Sequence, residues 1–154
     1  MKPMVRLIFD RWDEYCRQKY SEDCYNDHIL EVEMALSEDL GYWLMDTESQ
    51  LITRCIAIGH DLLEDTDATE EEMRQYVAEE VVEGIKILTK PKGMPYLDYI
   101  RRVIECGDER VIMVKRADMY DHVIKKRATL TPRLKEKYSE AIPYLIRQKR
   151  FEDG

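Results

Sequence analysis

The sequence predicts an all-α protein, a single compact bundle of about seven helices over residues 1–154. Two observations predict this class. Only six glycines and five prolines interrupt the 154 residues. Apolar residues recur mainly at spacings of three and four, and few segments alternate with period two. Because a chain of this length can bury an ordinary core, we expect one domain.

The predicted helices follow one another along the chain. They cover residues 4–15, 27–41, 47–63, 69–88, 96–105, 108–119 and 131–145. The third is the most apolar, so we expect it at the centre of the bundle. Thr47 with Gln50 and Thr69 with Glu72 have the spacing of capping boxes, and Gly41 suits a left-handed helix stop.

The later helices also have residues that suit their boundaries. Residues 90–95 contain two prolines and a glycine, which end the fourth helix. Gly107 follows the fifth, Asp108 is a candidate cap of the sixth, and Thr131 followed by Pro132 begins the last.

Composition excludes several kinds of partner. Acidic residues outnumber basic ones, 32 against 24, and the net charge is −8. This charge opposes attraction to long nucleic acids and to anionic membranes, so we expect neither as a partner. A small anionic substrate is compatible, because a metal ion or a few lysines can reverse the field inside one cleft. The sequence leaves the oligomeric state open.

Two further patterns indicate a cytoplasmic protein. No run of apolar residues is long enough to cross a bilayer or to act as a secretion signal. The four cysteines include no CxxC pair, which argues against a zinc finger or a disulfide scaffold and favours reduced, packed thiols.

A histidine and an aspartate at the end of the most apolar segment form the first candidate site. His60 and Asp61 lie in the stretch IAIGHDLLEDT. A buried carboxylate there is costly unless a partner such as a divalent cation neutralises it. Glu64 and Asp65 follow these two residues at a spacing of four, so each pair shares a helix face. Taken alone, a His–Asp pair is more often a hydrogen-bonding pair at a helix end than a metal site.

Asp118 is a second unusual carboxylate. It lies among apolar residues of a predicted buried helix, three residues after Lys115. With His28, His60 and Asp61 it would provide two imidazoles and two carboxylates. That ligand set suits Mn, Fe, Co, Ni or Zn, and it predicts one divalent metal ion and hydrolytic chemistry.

The order of these residues resembles the HD-domain metal-dependent phosphohydrolases, and most closely the (p)ppGpp hydrolase domains of RelA/SpoT-type and stand-alone small alarmone hydrolases. The resemblance covers residues 19–123. The matching fragments are Tyr25 three residues before His28, the pair His60–Asp61, Glu64–Asp65–Thr66, Leu88–Thr89–Lys90, and Val114–Lys115 with Ala117–Asp118.

The resemblance implies a ligand set and a pair of catalytic residues. It implies one divalent ion, expected to be Mn²⁺, held by His28, His60, Asp61 and Asp118. It also implies that Glu64 and Asp65 orient and deprotonate the attacking water and assist departure of the leaving group. The alternative for these two carboxylates is a solvated helix end.

The substrate contacts implied by the resemblance are less complete. The candidates are Lys19, Tyr25, Lys115 and His122, whereas for Lys90 we prefer a solvated side chain. Where the family has Arg-Lys-x-Gly-x-Pro-Tyr, this chain has KYSEDCY at residues 19–25. Where the family has Arg-Leu-His-Asn, this chain has MYDH at residues 119–122. His122 is either a hydrogen-bond donor in place of the asparagine or a surface residue.

Three functional hypotheses follow. The first is a stand-alone metal-dependent hydrolase of a small nucleotide, which removes the 3′-pyrophosphate of (p)ppGpp and has no synthetase activity. The second is an HD nucleotidase that acts on nucleoside monophosphates or other phosphomonoesters. The third, of another class, is a non-catalytic nucleotide-binding regulatory module.

Overall fold

Helices form all the regular structure in residues 3–153, which the computed structural model describes, with side chains described from residue 8 to residue 145. The α-helices are α1 (Pro3–Lys19), α2 (Glu22–Cys24), α3 (Leu30–Ala35), α4 (Leu40–Leu44), α5 (Thr47–Gly59), α6 (Leu62–Asp65), α7 (Glu70–Arg74), α8 (Glu79–Leu88), α9 (Tyr96–Glu105), α10 (Glu109–Tyr120) and α11 (Pro132–Asp153). Between them lie the π-helical turns Tyr25–Ile29 and Asp121–Lys125 and the 3₁₀ turns Leu36–Glu38 and Arg127–Thr129. The predicted all-α class is confirmed. Within this range no helix has both the length and the apolar character needed to cross a bilayer.

The segment predicted as one helix over residues 27–41 is divided. It consists of a π-helical turn, α3, a 3₁₀ turn and the start of α4. Asp39 is extended and its carboxylate accepts a hydrogen bond from the Gly41 N–H at 3.0 Å, so a new helix begins here. Gly41 therefore lies inside α4, and its predicted role as a left-handed stop is wrong. The glycines with positive φ in the described chain are Gly93 and Gly107.

Side-chain caps mark the starts of several helices. The predicted capping box of Thr69 and Glu72 is present at α7. At α5 the cap is Asp46, whose carboxylate accepts a hydrogen bond from the Ser49 N–H at 2.7 Å. The capping box predicted from Thr47 is therefore wrong, because the acidic residue one position earlier provides the cap.

Helix α5 lies at the centre of the bundle, as its apolar sequence predicts. It packs against α1, α3, α8 and α10. The indole N–H of Trp12 in α1 donates to the Cys55 carbonyl at 2.9 Å, which joins the first helix to the central one. Helix α10 is buried along most of its length, and it packs against both α3 and α5. The packing of α3, α5 and α10 determines which polar residues meet at the ends of these helices.

Candidate metal centre and substrate cavity

Three separate segments bring the four predicted metal ligands together. The π-helical turn Tyr25–Ile29 carries His28. His60 and Asp61 directly follow α5, and Asp118 lies near the end of α10. Because α5 packs against α10 and also contacts the π-helical turn, these residues share one cluster despite their separation in the sequence.

The distances between the ligand atoms fit one metal ion. Nε2 of His28 lies 3.4 Å from Oδ2 of Asp61 and 3.0 Å from Oδ1 of Asp118. Nε2 of His60 lies 3.4 and 3.5 Å from the same two oxygens. Ligand atoms at about 2.0–2.2 Å from a shared cation are about 2.8–3.6 Å apart for octahedral or tetrahedral angles. The four side chains therefore have nearly the spacing of a coordination shell.

Both imidazoles direct Nε2 into the cluster, because Nδ1 is engaged on the other side. Nδ1 of His60 lies 2.7 Å from the Ala57 carbonyl, and Nδ1 of His28 lies 2.7 Å from Oδ2 of Asp121. Nε2 of His60 is buried and has no hydrogen-bond partner. A buried nitrogen without a partner is costly, and a metal ion would use its lone pair. The residues present thus fit a metal ion.

The carboxylates make this cluster attractive to positive charge. Burial alone would lower the pKa of His28, but hydrogen bonds to Asp118 and Asp61 outweigh it and raise the pKa to about 11. Burial also acts against the charged form of His60, whose pKa is nevertheless raised by Asp61 and Asp118. Without a cation the imidazoles hold protons that offset the carboxylates, and a divalent ion would replace these protons.

Lys115 binds the second oxygen of Asp118. The distance from Nζ to Oδ2 is 2.8 Å, and the ammonium also lies 5.7 and 5.0 Å from the ring centroids of Tyr96 and Tyr99. Burial favours the neutral acid, but Lys115 and the adjacent imidazoles hold the pKa of Asp118 well below its usual value. Asp118 is therefore ionised, with Oδ1 facing the cluster. Lys115 lines the cavity, as its predicted role requires.

Glu64 and Asp65, the predicted catalytic carboxylates, lie in α6 and line the same cavity as the metal cluster. The Lys90 N–H donates to Oε1 of Glu64 at 2.6 Å. Glu64 is exposed in part, and the burial of the rest of its side chain raises its pKa above its usual value. Burial also raises the pKa of Asp65, and the negative charge of Asp61 adds to this effect. A carboxylate with a raised pKa is a better proton acceptor near neutral pH.

These groups line a cavity of about 770 Å³, a volume typical of small-ligand sites. Its wall also includes Lys90, Lys92 and Lys137 and the ring of Tyr138. Lys90, for which we preferred a solvated side chain, therefore faces the cavity. Burial and the charges of Lys115 and Lys90 lower the pKa of Lys137. The cavity joins a metal-binding cluster to a group of cations, which suits an anionic ligand.

Two of the predicted substrate contacts lie elsewhere. Lys19 does not line the cavity, and Nζ lies 3.0 Å from Oδ1 of Asp67 and 3.7 Å from Oε1 of Glu72. Tyr25 is buried, and its hydroxyl donates to Asp13. Because neither side chain is on the cavity wall, we leave both out of the proposed binding site. His122 does line the cavity.

The sequence did not reveal several residues of the site. Asp121 is fully buried and contacts Nδ1 of His28, but no pattern in the surrounding sequence indicates this contact. Lys137 and Tyr138 come from α11, which lies beyond the residues that carry the family resemblance. His122 was predicted as a substrate contact, and its spacing of four residues from Asp118 was the signal that it also lies beside the metal ligands.

Sequence comparison finds a related hydrolase. Over 122 residues the chain is 34% identical to a guanosine-3′,5′-bis(diphosphate) 3′-pyrophosphohydrolase from Aquifex aeolicus. The match covers 71% of this chain, which spans only 16% of that relative's length. The chain matches no family model.

Structural comparison finds the same fold in a solved protein. This chain has a TM-score of 0.68 to a metazoan ortholog of SpoT that hydrolyzes ppGpp and plays a role in starvation responses. The two are 19% identical, and the match covers 90% of this chain and 85% of that one. The two chains therefore share a helical fold. The predicted resemblance to the (p)ppGpp hydrolases is confirmed by both comparisons.

Proposed function

We propose that this chain is a metal-dependent hydrolase that removes pyrophosphate from the 3′ position of (p)ppGpp. One observation carries the proposal: the imidazole and carboxylate cluster, two carboxylates of raised pKa and four lysines line a single cavity. Such a cavity suits a small ligand with more than one phosphate group. The Aquifex relative is named for this reaction and the metazoan relative for ppGpp hydrolysis, which supports the choice of substrate.

The four ligands would hold one divalent ion, for which we propose Mn²⁺. When bound, the ion supplies Lewis acidity, which lowers the pKa of water and offsets charge on the phosphate. Fe, Co, Ni and Zn suit the same mixture of imidazole and carboxylate, so the choice of metal depends on availability as well as affinity.

The carboxylates of Glu64 and Asp65 would transfer the protons of the reaction. Glu64, held by the Lys90 N–H, accepts a proton from the attacking water. The water oxygen bonds to the phosphorus next to the 3′ oxygen, and the bond from that phosphorus to the 3′ oxygen breaks. The raised pKa of Asp65 favours its protonated form, and Asp65 donates this proton to the departing 3′ oxygen. The products are pyrophosphate and a nucleotide with a free 3′ hydroxyl.

The lysines would hold the phosphates that are not attacked. Lys90, Lys92 and Lys137 all line the cavity, and their charges offset those of a substrate with two diphosphate groups. This local charge compensates for the net charge of −8 on the chain. The cytoplasmic location and the single domain stay predictions, and both are compatible with a small nucleotide as the substrate.

A nucleotide panel tests the proposal. The purified protein, loaded with Mn²⁺ and checked by elemental analysis, is incubated with ppGpp and separately with nucleoside monophosphates. We expect pyrophosphate from ppGpp, and we expect no product with His60→Ala as the matched control. Phosphate released from monophosphates would instead identify a nucleotidase. A melting shift caused by ppGpp without any product would identify a non-catalytic module.

A further inference from the structure

His122 is a third imidazole at the metal cluster. It lies in the π-helical turn Asp121–Lys125, and Nε2 is 3.3 Å from Oδ1 of Asp118. Its ring centroid lies 4.7 Å from that of His28. The ring of Tyr138 lies almost parallel to the ring of His122, with centroids 5.7 Å apart and an interplanar angle of 11°. Contacts from α11 therefore hold the imidazole beside the cluster.

One carboxylate oxygen is the common neighbour of three imidazole nitrogens. Oδ1 of Asp118 lies 3.0 Å from Nε2 of His28, 3.5 Å from that of His60 and 3.3 Å from that of His122. A carboxylate oxygen has about two lone pairs, so it cannot accept three good hydrogen bonds. Neighbouring atoms that share one cation are spaced by about 2.8–3.6 Å. A cation in front of Oδ1 would engage all three nitrogens.

We propose that His122 is a fifth protein ligand of the metal ion. This inference deepens the proposed function and rests on its metal site. The family that this chain resembles has asparagine at the position, so the ligand would distinguish this chain from that pattern. His122 is the most exposed of the three imidazoles, with 36% of its side chain accessible against 14% for His28 and 4% for His60. It therefore lies at the open side of the cluster, where a ligand would complete the site.

The extra imidazole has a consequence for metal preference. Imidazole nitrogen suits Co²⁺, Ni²⁺ and Zn²⁺ better than Mn²⁺, which favours oxygen ligands. His122 should therefore increase affinity for the first three ions more than affinity for Mn²⁺. A role in contacting the nucleotide alone would leave metal affinity unchanged.

Metal binding to the free protein tests the inference. Affinities for Ni²⁺ and Mn²⁺ are measured by titration calorimetry on metal-free wild type, His122→Asn and His122→Ala. We expect Ni²⁺ affinity to fall by about tenfold or more, with a smaller fall for Mn²⁺. The visible absorption of the Co²⁺-loaded protein should also change. Glu140→Gln, at an exposed position of α11, is the matched control and is expected to keep the wild-type affinities.

Several outcomes would overturn the inference. Unchanged Ni²⁺ affinity and an unchanged Co²⁺ spectrum in both variants would do so, and so would a rise in KM for ppGpp as the single effect. Circular dichroism checks that the variants fold. If they do not, paramagnetic NMR of Co²⁺-loaded wild type decides, because signals from three bound imidazoles are expected and signals from two would contradict the proposal.

These readouts separate this inference from the proposed function. A wild type that binds metal through His122 but does not hydrolyse ppGpp would retain the inference and reject the substrate. If His60→Ala bound Ni²⁺ as tightly as wild type, the metal site itself would be rejected, and both proposals with it.

Discussion

Nδ1 of His28 lies 2.7 Å from Oδ2 of Asp121, a carboxylate that is completely buried. Lys126 also donates to Oδ2, whereas Oδ1 has no hydrogen-bond partner. Asp121 therefore determines which nitrogen of His28 faces the cluster, and its negative charge makes that nitrogen a better ligand. Asp121 therefore acts on the metal site through His28 and is not itself one of the proposed ligands.

Replacing Asp121 should weaken metal binding. Asp121→Asn preserves the size of the side chain but removes its charge, so we expect the affinity for Mn²⁺ to fall by about 10–100-fold. Titration calorimetry on the metal-free protein measures this change. Asp23→Asn, at an exposed position of α2, is the matched control. Equal affinities in the two variants would show that Asp121 does not orient the ligand.

Glu64→Gln should separate metal binding from turnover. The amide cannot accept the proton of water, so we expect turnover to fall by about a hundredfold or more while metal content stays unchanged. Steady-state kinetics and elemental analysis on one preparation check both parts. Glu71→Gln, an exposed change in α7, should have wild-type turnover. Full activity in the Glu64 variant would remove its proposed role as the base.

The pKa of Glu64 also predicts a pH dependence. Burial raises this pKa above that of an exposed glutamate, and the base acts in its ionised form. Turnover should therefore be present above the raised pKa and should fall as the pH decreases through it. Metal content is measured at each pH, because acid also protonates the ligands. The fall should be missing in Glu64→Gln, and the same profile in both proteins would assign it to another group.

The sequence predicted the parts of the molecule that local patterns determine. The all-α class followed from apolar spacing, and the central position of α5 followed from its apolar composition. The boundary at Gly41 was wrong because the Asp39 carboxylate starts a helix there, a contact that competes with the preference of glycine for ending one. Residue propensities alone do not tell whether a helix begins at Asp39 or ends at Gly41.

The sequence predicted only some residues of the site. The structure brings together His28, His60, Asp61 and Asp118, whose order matches a family pattern. Lys19 matched the same pattern, but its ammonium is paired with acids from the segment before α7 and from α7 itself. Lys137 matched no pattern, because only the packing of α11 against α9 and α10 brings it to the cavity.

Gly59 should be intolerant of a larger side chain. A Cβ at this position would lie 2.6 Å from the Trp12 ring and 2.7 Å from Cδ1 of Ile85. Trp12 is fully buried and hydrogen-bonded to α5, so it cannot move freely. We expect Gly59→Ala to lower the free energy of unfolding by about 1–3 kcal/mol in urea denaturation. The loss should be smaller in an Ile85→Val background, and a more stable Gly59→Ala protein would contradict the packing.

Lys137 and Lys19 offer a matched pair of lysines, one on the cavity wall and one outside it. Lys137→Met should raise the KM for ppGpp by about tenfold or more with little change in kcat, because it removes a charge that binds phosphate equally in the ground and transition states. Lys19→Met should leave both constants unchanged, since its ammonium pairs with Asp67 and Glu72. Initial rates over a range of ppGpp concentrations measure both constants. The opposite result, with KM raised by Lys19→Met alone, would mean that the family pattern identifies the binding site better than the cavity does.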